Sequence, residues 1–294
     1  MSIELLTTGI GQSIFPSKQR AATRKRSHLA RTKGMPRDTF VETIEKLIAE
    51  RHATRAFLPK PVARETIERV LQVAARAPSG ANLQPWKVHV LRGEAKQRLE
   101  QCMLATLEDP DQRALLREEY AYYPSVWREP YQSRRRKVGL DLYQLLGIAK
   151  GDTARTIAQL RRNHVFFGAP VALLFSIDRD LGLGSWLDYG MFLQTLMIAA
   201  RAHGLETCPQ AAHNQFHRLI AEEVGLAPTE QFVCGMALGY GARLRRSARD
   251  REPTPDRPRA RERFCTICRI TQIEPPNVAA QVPGAINFGL SAAF

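Results

Sequence analysis

Several common signatures are missing from this chain, and each absence narrows what it can be. No stretch approaches eighteen uncharged apolar residues, so a transmembrane helix is not expected and the chain reads as a soluble protein without membrane attachment. Cysteine is scarce and odd in number, five in 294 residues. That is no disulfide framework for a chain of this size, and it points to a reducing, cytoplasmic setting. Cys265 and Cys268 form the single C-x-x-C, at most half of a zinc site, so no metal is expected. His213 and His217 are four apart, but "HNQFH" lacks the glutamate of a zinc hydrolase and a third ligand, so both read as surface histidines. "GLGSWL" and "GMALGYG" contain glycines without the complete dinucleotide fingerprint, which argues against a Rossmann domain.

Acidic residues are also in deficit, and the formal charge is +14. The location of that charge decides its meaning. Residues 1–37 hold eight Lys or Arg against the single acid Glu4, and residues 242–294 hold ten Arg against five acids. The body between them is nearly neutral. Residues 1–37 form a basic, acid-poor extension without apolar period, expected to be disordered or a targeting segment, and periodic sequence begins just after Met35, an alternative start to Met1. From 242 to 263 there are nine arginines and three prolines with no apolar face, an atypical segment of the kind a shifted reading frame would produce. Basic tails leave open a nucleic-acid-associated protein, which would show salt-sensitive binding that disappears with the tails. The neutral body makes nucleic acid the lesser expectation.

The region 38–241 reads as one folded domain. Phe40, Val41, Ile44, Leu47 and Ile48 lie on one helical stripe, and Ile67, Val70, Leu71, Ala74 and Ala75 on a second. Trp86, Val88 and Val90 alternate with their neighbours in a strand ending at Gly93, followed by a helix over about 94–107. Residues 108–165 look like an inserted helical excursion. "APVALLFSID" (169–178) and "QFVCGMALGYG" (231–241) read as strands, and 185–204, apolar nearly all round, as a central core helix stopped by Gly204.

Two segments carry the functional signal. In "RHATRAF" (51–57), Arg51 and Arg55 stand four apart in a helix-to-loop setting and can converge on an anion or a polar carbonyl edge, unless they only solvate a helix end. In "APSGANLQPW" (77–86), Pro78 and Gly80 favour an irregular backbone while Ser79, Asn82 and Gln84 offer donors and acceptors to a heteroaromatic edge, unless the stretch is a plain helix-to-strand turn.

These two strings, followed in order by "GSWLDYGMFLQTLMIAARAHGLETCPQAA" and "GMALGY", resemble the FMN-dependent nitroreductase family over roughly residues 39–241. The insert "YYPSVWREPYQSRRRKVGLDLYQLLGI" with "NHVFFGAPV" is similar to its branch acting on nitroaromatic compounds. The resemblance implies an α+β fold with a mixed, mainly antiparallel sheet flanked by helices, assembled as an intertwined homodimer with FMN in two interfacial clefts. It implies that Arg51 grips the FMN phosphate with help from His52 and Ala53, that Arg55 approaches the flavin N1/O2 edge, and that Pro78, Ser79, Gly80, Asn82 and Gln84 line the ring and ribityl chain. Pro209, Gln210 and Ala211 would sit at the other face, with a backbone N–H directed at N5. Tyr122, Tyr123, Trp127 and Tyr131 would form an aromatic wall for substrate, or else pack the excursion onto the core. "RRRK" (134–137) reads as a solvated face or a patch for NADPH phosphates. The implied activity is NAD(P)H-dependent reduction of nitroaromatic compounds by ping-pong hydride transfer through flavin N5, with NADPH or NADH as donor and no catalytic side chain required. The same chemistry on a quinone, enone or halophenol is the alternative. Two departures stand out: Ala53 replaces the family's usual serine, and the family's C-terminal basic segment is not matched, leaving Arg243, Arg245 and Arg246 as substitutes for its phosphate contact.

Overall fold

A computed structural model of the chain describes residues 37–242. The extension expected at 1–37, apart from Arg37, and the Arg/Pro-rich segment after 242 lie outside the described residues. Helices α1 (Arg37–Ala49) and α2 (Arg64–Ala74) come first, then strand β1 (Lys87–Arg92) and helix α3 (Gly93–Glu108). The excursion contributes α4 (Pro110–Leu115), α5 (Tyr131–Leu145) and α6 (Thr153–Arg161). Strand β2 (Val171–Asp178), helix α7 (Leu183–Ala202), strand β3 (Glu206–Gln210), helix α8 (His217–Val224) and strand β4 (Glu230–Gly239) complete the domain.

The boundaries follow from local chemistry. Asp109 caps α4 by accepting from the Asp111 and Gln112 amides, with Pro110 in the first turn, and Asp152 caps α6 through the Arg155 amide. Helix α7 stops at Gly204, whose φ of +71° only glycine adopts without strain.

The sheet is four-stranded with order β1-β2-β4-β3, antiparallel throughout. Its one parallel contact is an isolated bridge between Ala53 and Thr207, which extends the sheet beyond β3. Both faces are covered, so the alternation of side chains feeds two cores. Val171, Leu173, Phe175 and Ile177 point into a core with α2 and α7, where Trp86 stacks on Phe192 at 4.8 Å. Ala172 and Leu174 point into a second core with Leu99, Met103, Phe166, Phe216 and Ile220. Tyr189 of α7 crosses the first core and places its hydroxyl 3.0 Å from the carbonyls of Lys87 and Ser176, fixing the start of β1 to β2.

Two readings of the sequence need correction. The α1 stripe does not enter the core of this chain: Phe40, Val41, Ile44 and Ile48 are exposed. Helix α7 is buried along one face only, and Leu183 and Leu187 on the other are 88% and 71% exposed. An apolar helix that leaves such a face open needs another surface to cover it.

Candidate functional site

The site starts at the outer edge of β3. The Thr54 amide donates to the Thr207 carbonyl at 2.9 Å, and the Ala53–Thr207 bridge holds residues 51–55 in extended form beside the strand. Arg51 lies just past the end of α1, its amide donating to the Ile48 carbonyl at 3.3 Å, and Arg55 follows the Ala53 bridge, so the two arginines keep a helix-to-loop setting laid along the edge of β3.

The two guanidinium groups have no hydrogen bond or ion pair among the described residues. Glu50 and Glu206 are both taken by Arg201 of α7: its Nη1 lies 2.8 and 2.9 Å from the two Glu206 oxygens, and its Nη2 donates to Glu50 Oε2 at 3.1 Å. Thr54 Oγ1 also reaches Glu206 Oε2 at 3.4 Å. His52 Nδ1 sits 2.9 Å from the Glu50 carbonyl, to which it donates, and Nε2 lies 3.3 Å from Thr54 Oγ1. Arg55 lies close enough to Cys208 that its charge partly offsets burial, which pushes the Cys208 thiol up to about 11.

At the other end of β3, Pro209 is exposed and Ala211 half-buried, while Gln210 is 2% exposed. The Gln210 side chain turns inward and donates to the Asn163 carbonyl at 2.6 Å, so this residue can offer a ligand only its backbone. The same carbonyl accepts from His213 Nε2 at 3.0 Å. His213 is thus a core histidine and not a surface one. Burial holds its pKa down to about 3, and a Cβ on Gly235 would lie 2.2 Å from its Nδ1. His164, 6.0 Å from it between ring centres, is likewise lowered to about 4 by burial and by Arg161.

The loop 78–84 lies elsewhere. The Gly80 amide donates to Asp188 Oδ2 at 3.0 Å, the Gln84 amide to Ser79 Oγ at 3.0 Å, and the Asn82 amide to the Ser79 carbonyl. Ala81, Asn82 and Gln84 all adopt positive φ, +48°, +57° and +48°, so the loop is an organised structure held at some cost, not a plain turn. It leads into β1 at Lys87, whereas residues 51–55 flank β3 at the opposite edge. Ala53 is in the row of Thr207, Leu238, Val171 and Arg92, five residues along β1 from Lys87. Four strand spacings across and five residues along give about 25 Å between the two corners. Helix α7 reports the same separation, because Asp188 and Arg201, which hold the two corners, are about 20 Å apart along its axis. One chain brings Arg51, His52, Ala53 and Arg55 together with Pro209, Gln210 and Ala211; it does not bring Pro78, Ser79, Gly80, Asn82 and Gln84 to them.

Tyr122, Tyr123 and Tyr131 are exposed and Trp127 is half-buried. Tyr123 contacts Tyr122 at 4.7 Å and Trp127 at 5.3 Å between centroids. Arg135 stands 4.8 Å over the Trp127 ring and Arg128 5.9 Å over Tyr131. The wall is tied to the core just upstream, where the Tyr120 hydroxyl bonds the Val233 carbonyl and its own carbonyl accepts from Asn214 Nδ2 at 2.8 Å. Asn214 is three residues beyond Ala211. Arg201, Glu206, Asn163 and Gly235 were missed in the sequence, since nothing local marks a residue whose role is set by a partner in another element, as Glu50 is for Arg201 and Gln210 for Asn163.

The domain is layered α+β, with two guanidinium groups unpaired among the described residues at the β3 edge, and the comparisons with known proteins give it a lineage. The sequence profile of the nitroreductase family matches residues 48–240. The chain is 43% identical over 201 residues to a 4-nitrobenzoate reductase of Pseudomonas putida, covering 68% of this chain and 86% of that protein. It is 36% identical over 206 residues to a chloronitrobenzene nitroreductase of Comamonas testosteroni, covering 70% and 88%. Among solved structures, the FMN and NADPH-dependent nitroreductase NfnB from sphigopyxis sp. strain HMH superposes with a TM-score of 0.65 at 35% identity, over 73% of this chain and 95% of that one. This protein belongs to the nitroreductase family.

Proposed function

We propose that the protein is an FMN-dependent NAD(P)H oxidoreductase that reduces nitroaromatic compounds, and that its active unit is a homodimer. The observation that carries the reading is the pair of unpaired guanidinium groups, Arg51 and Arg55, spread along the β3 edge beside the Pro209–Ala211 turn. FMN fits that donor set: it has a dianionic phosphate at one end and a flat ring with carbonyl and nitrogen edges at the other, and guanidinium forks suit both. When bound, FMN supplies the two-electron relay between a nicotinamide donor and a nitro group. Arg51 would hold the phosphate, with His52 and Ala53 contributing, and Arg55 would serve the N1/O2 edge, where a cation favours the anionic reduced ring. Pro209 and Ala211 present backbone at the N5 edge, and the buried Gln210 and His213 bonds to Asn163 hold that turn still.

The remaining wall of the cleft comes from a second copy. Residues 78–84 are about 25 Å from Arg51 and Arg55 in their own chain, while exposed Phe40, Ile44 and Ile48 of α1 and Leu183 and Leu187 of α7 offer the apolar area that a symmetric pairing buries. In the pair, Pro78, Ser79, Gly80, Asn82 and Gln84 of one copy line the flavin held by the other. Tyr123, Trp127 and Tyr131 stack the nitroarene. Arg128 and Arg135 over these rings favour a substrate bearing a carboxylate, the class that the name of the P. putida relative carries. The three described cysteines, Cys102, Cys208 and Cys234, are unpaired, which supports the cytoplasmic placement.

The test is direct. Purified protein is expected to show flavin absorption at about one FMN per chain and to oxidise NADPH faster with 4-nitrobenzoate than with nitrobenzene or a quinone. Colourless protein that takes up no added FMN would end this reading, and faster turnover of the quinone would replace its substrate.

A further inference from the structure

Two carboxylates belong to the segments that carry and flank Arg51 and Arg55. Glu50 is the residue next to Arg51, and Glu206 precedes Thr207, the residue bridged to Ala53. Neither acid is used on the arginines. Both are held from behind by one guanidinium, Arg201, which forks onto Glu206 through Nη1 and reaches Glu50 through Nη2. The side chain of Arg201 is 11% exposed, against 23% for Glu206 and 34% for Glu50, so the pair is drawn toward the interior and away from the ligand face.

From this we infer that Arg201 is a positioning residue for the anion site: it sequesters Glu50 and Glu206 so that Arg51 and Arg55 remain available to a phosphate-bearing ligand. The inference rests on the FMN reading above and deepens it. The charge count makes the logic quantitative. Three arginines and two glutamates give the group one net positive charge, two positive charges on Arg51 and Arg55 against one net negative on the Arg201–Glu50–Glu206 cluster. Without Arg201 the group is neutral, and two carboxylates leaving a partly buried site turn to the nearest cations, Arg51 and Arg55. Arg201 thus acts on affinity without touching the ligand, and its effect is on the phosphate end of that ligand.

The experiment compares FMN and riboflavin, which lacks the phosphate, binding to apoprotein by quenching of flavin fluorescence. Arg201→Met is expected to weaken FMN at least about tenfold and riboflavin less than about threefold. Adding Glu206→Gln to that variant removes the released carboxylate and is expected to return FMN affinity to within about threefold of wild type. A purely structural role would weaken both ligands alike and would not be rescued by the second substitution; either result overturns the inference. Where Arg201→Met cannot be purified folded, Arg201→Lys keeps the charge but cannot fork onto both acids. It is expected to weaken FMN about threefold to tenfold with the same rescue, and unchanged affinity overturns the inference. Wild-type apoprotein that binds neither flavin removes the FMN reading itself, an outcome separate from failure of the variants.

Discussion

The corner at residues 51–55 and the corner at residues 78–84 prepare for a ligand in opposite ways. At the first, the backbone is ordinary extended chain and the investment is electrostatic: two cations are left unpaired while the acids beside them are bonded to Arg201. At the second, the described side chains carry no charge and the investment is conformational: Ala81, Asn82 and Gln84 sit at positive φ, closed by Ser79 and anchored to Asp188. A charge site needs free charge and tolerates a simple backbone. A surface that must follow a flat ring needs fixed shape, which a strained but well-bonded loop provides. A third kind of region is the polar cluster of buried Gln210, His213 and His164 gathered on half-buried Asn163, which holds position.

The largest expected effect breaks that buried cluster. Gly235→Ala would put a methyl 2.2 Å from His213 Nδ1 in a ring that is fully enclosed. Thermal denaturation should show a loss of about 3 kcal/mol, the upper range for overpacking. Arg51→Ala comes next and sharpens the contrast between corners. It is expected to weaken FMN by about 30- to 100-fold, the worth of a charge-assisted contact of 2–3 kcal/mol. Riboflavin should be nearly indifferent, while a blocking change in the 78–84 loop should hit both flavins, as paired titrations would reveal.

Acid is a milder probe. Burial lowers His213 to about 3 and His164 to about 4, both below the ordinary value of 6.5. Between those values and 6.5 the unfolded chain binds protons that the native chain refuses, so stability is fully present above pH 6.5 and falls as pH drops toward 3. Denaturant titrations at pH 7.5 and 5 should differ by about 2 kcal/mol for His213 alone, at 1.4 kcal/mol per unit. A flat profile would mean the cluster is open to water. Trp127→Ala should give the smallest change, about a fivefold drop in kcat/KM for the nitroarene at unchanged flavin content, from one lost stacking surface.

Much of the fold was legible in the chain. The apolar runs at 169–178 and 231–241, the alternation after Trp86 and the glycine after α7 each mark an element by local chemistry, and each became one. Strand β3 was not foreseen, because "ETCPQ" contains a proline and its buried Thr207 and Cys208 are consecutive, without alternation; an edge position tolerates both. The fate of residues 51–55 was hidden for a related reason: a single parallel bridge joins Ala53 to Thr207, and nothing at 51–55 announces a partner at 207. The two signal segments are near neighbours in the sequence. The sheet instead places them at opposite corners, a fact of topology that no short motif encodes.

The most direct test of the two-copy cleft mixes two defective chains. Arg51→Ala removes the phosphate contact, and Gly80→Trp fills the loop side, where an added Cβ meets Asp188 Oδ2 at an ordinary 3.7 Å and the fold should survive. Each variant alone is expected to bind almost no FMN. Unfolded together and refolded as an equal mixture, half of the dimers would be mixed, each with one intact site, so about a quarter of wild-type flavin content and NADPH-driven nitroarene reduction should return. Recovery near that level is what the account requires; no recovery at all would mean that each cleft is built within a single chain.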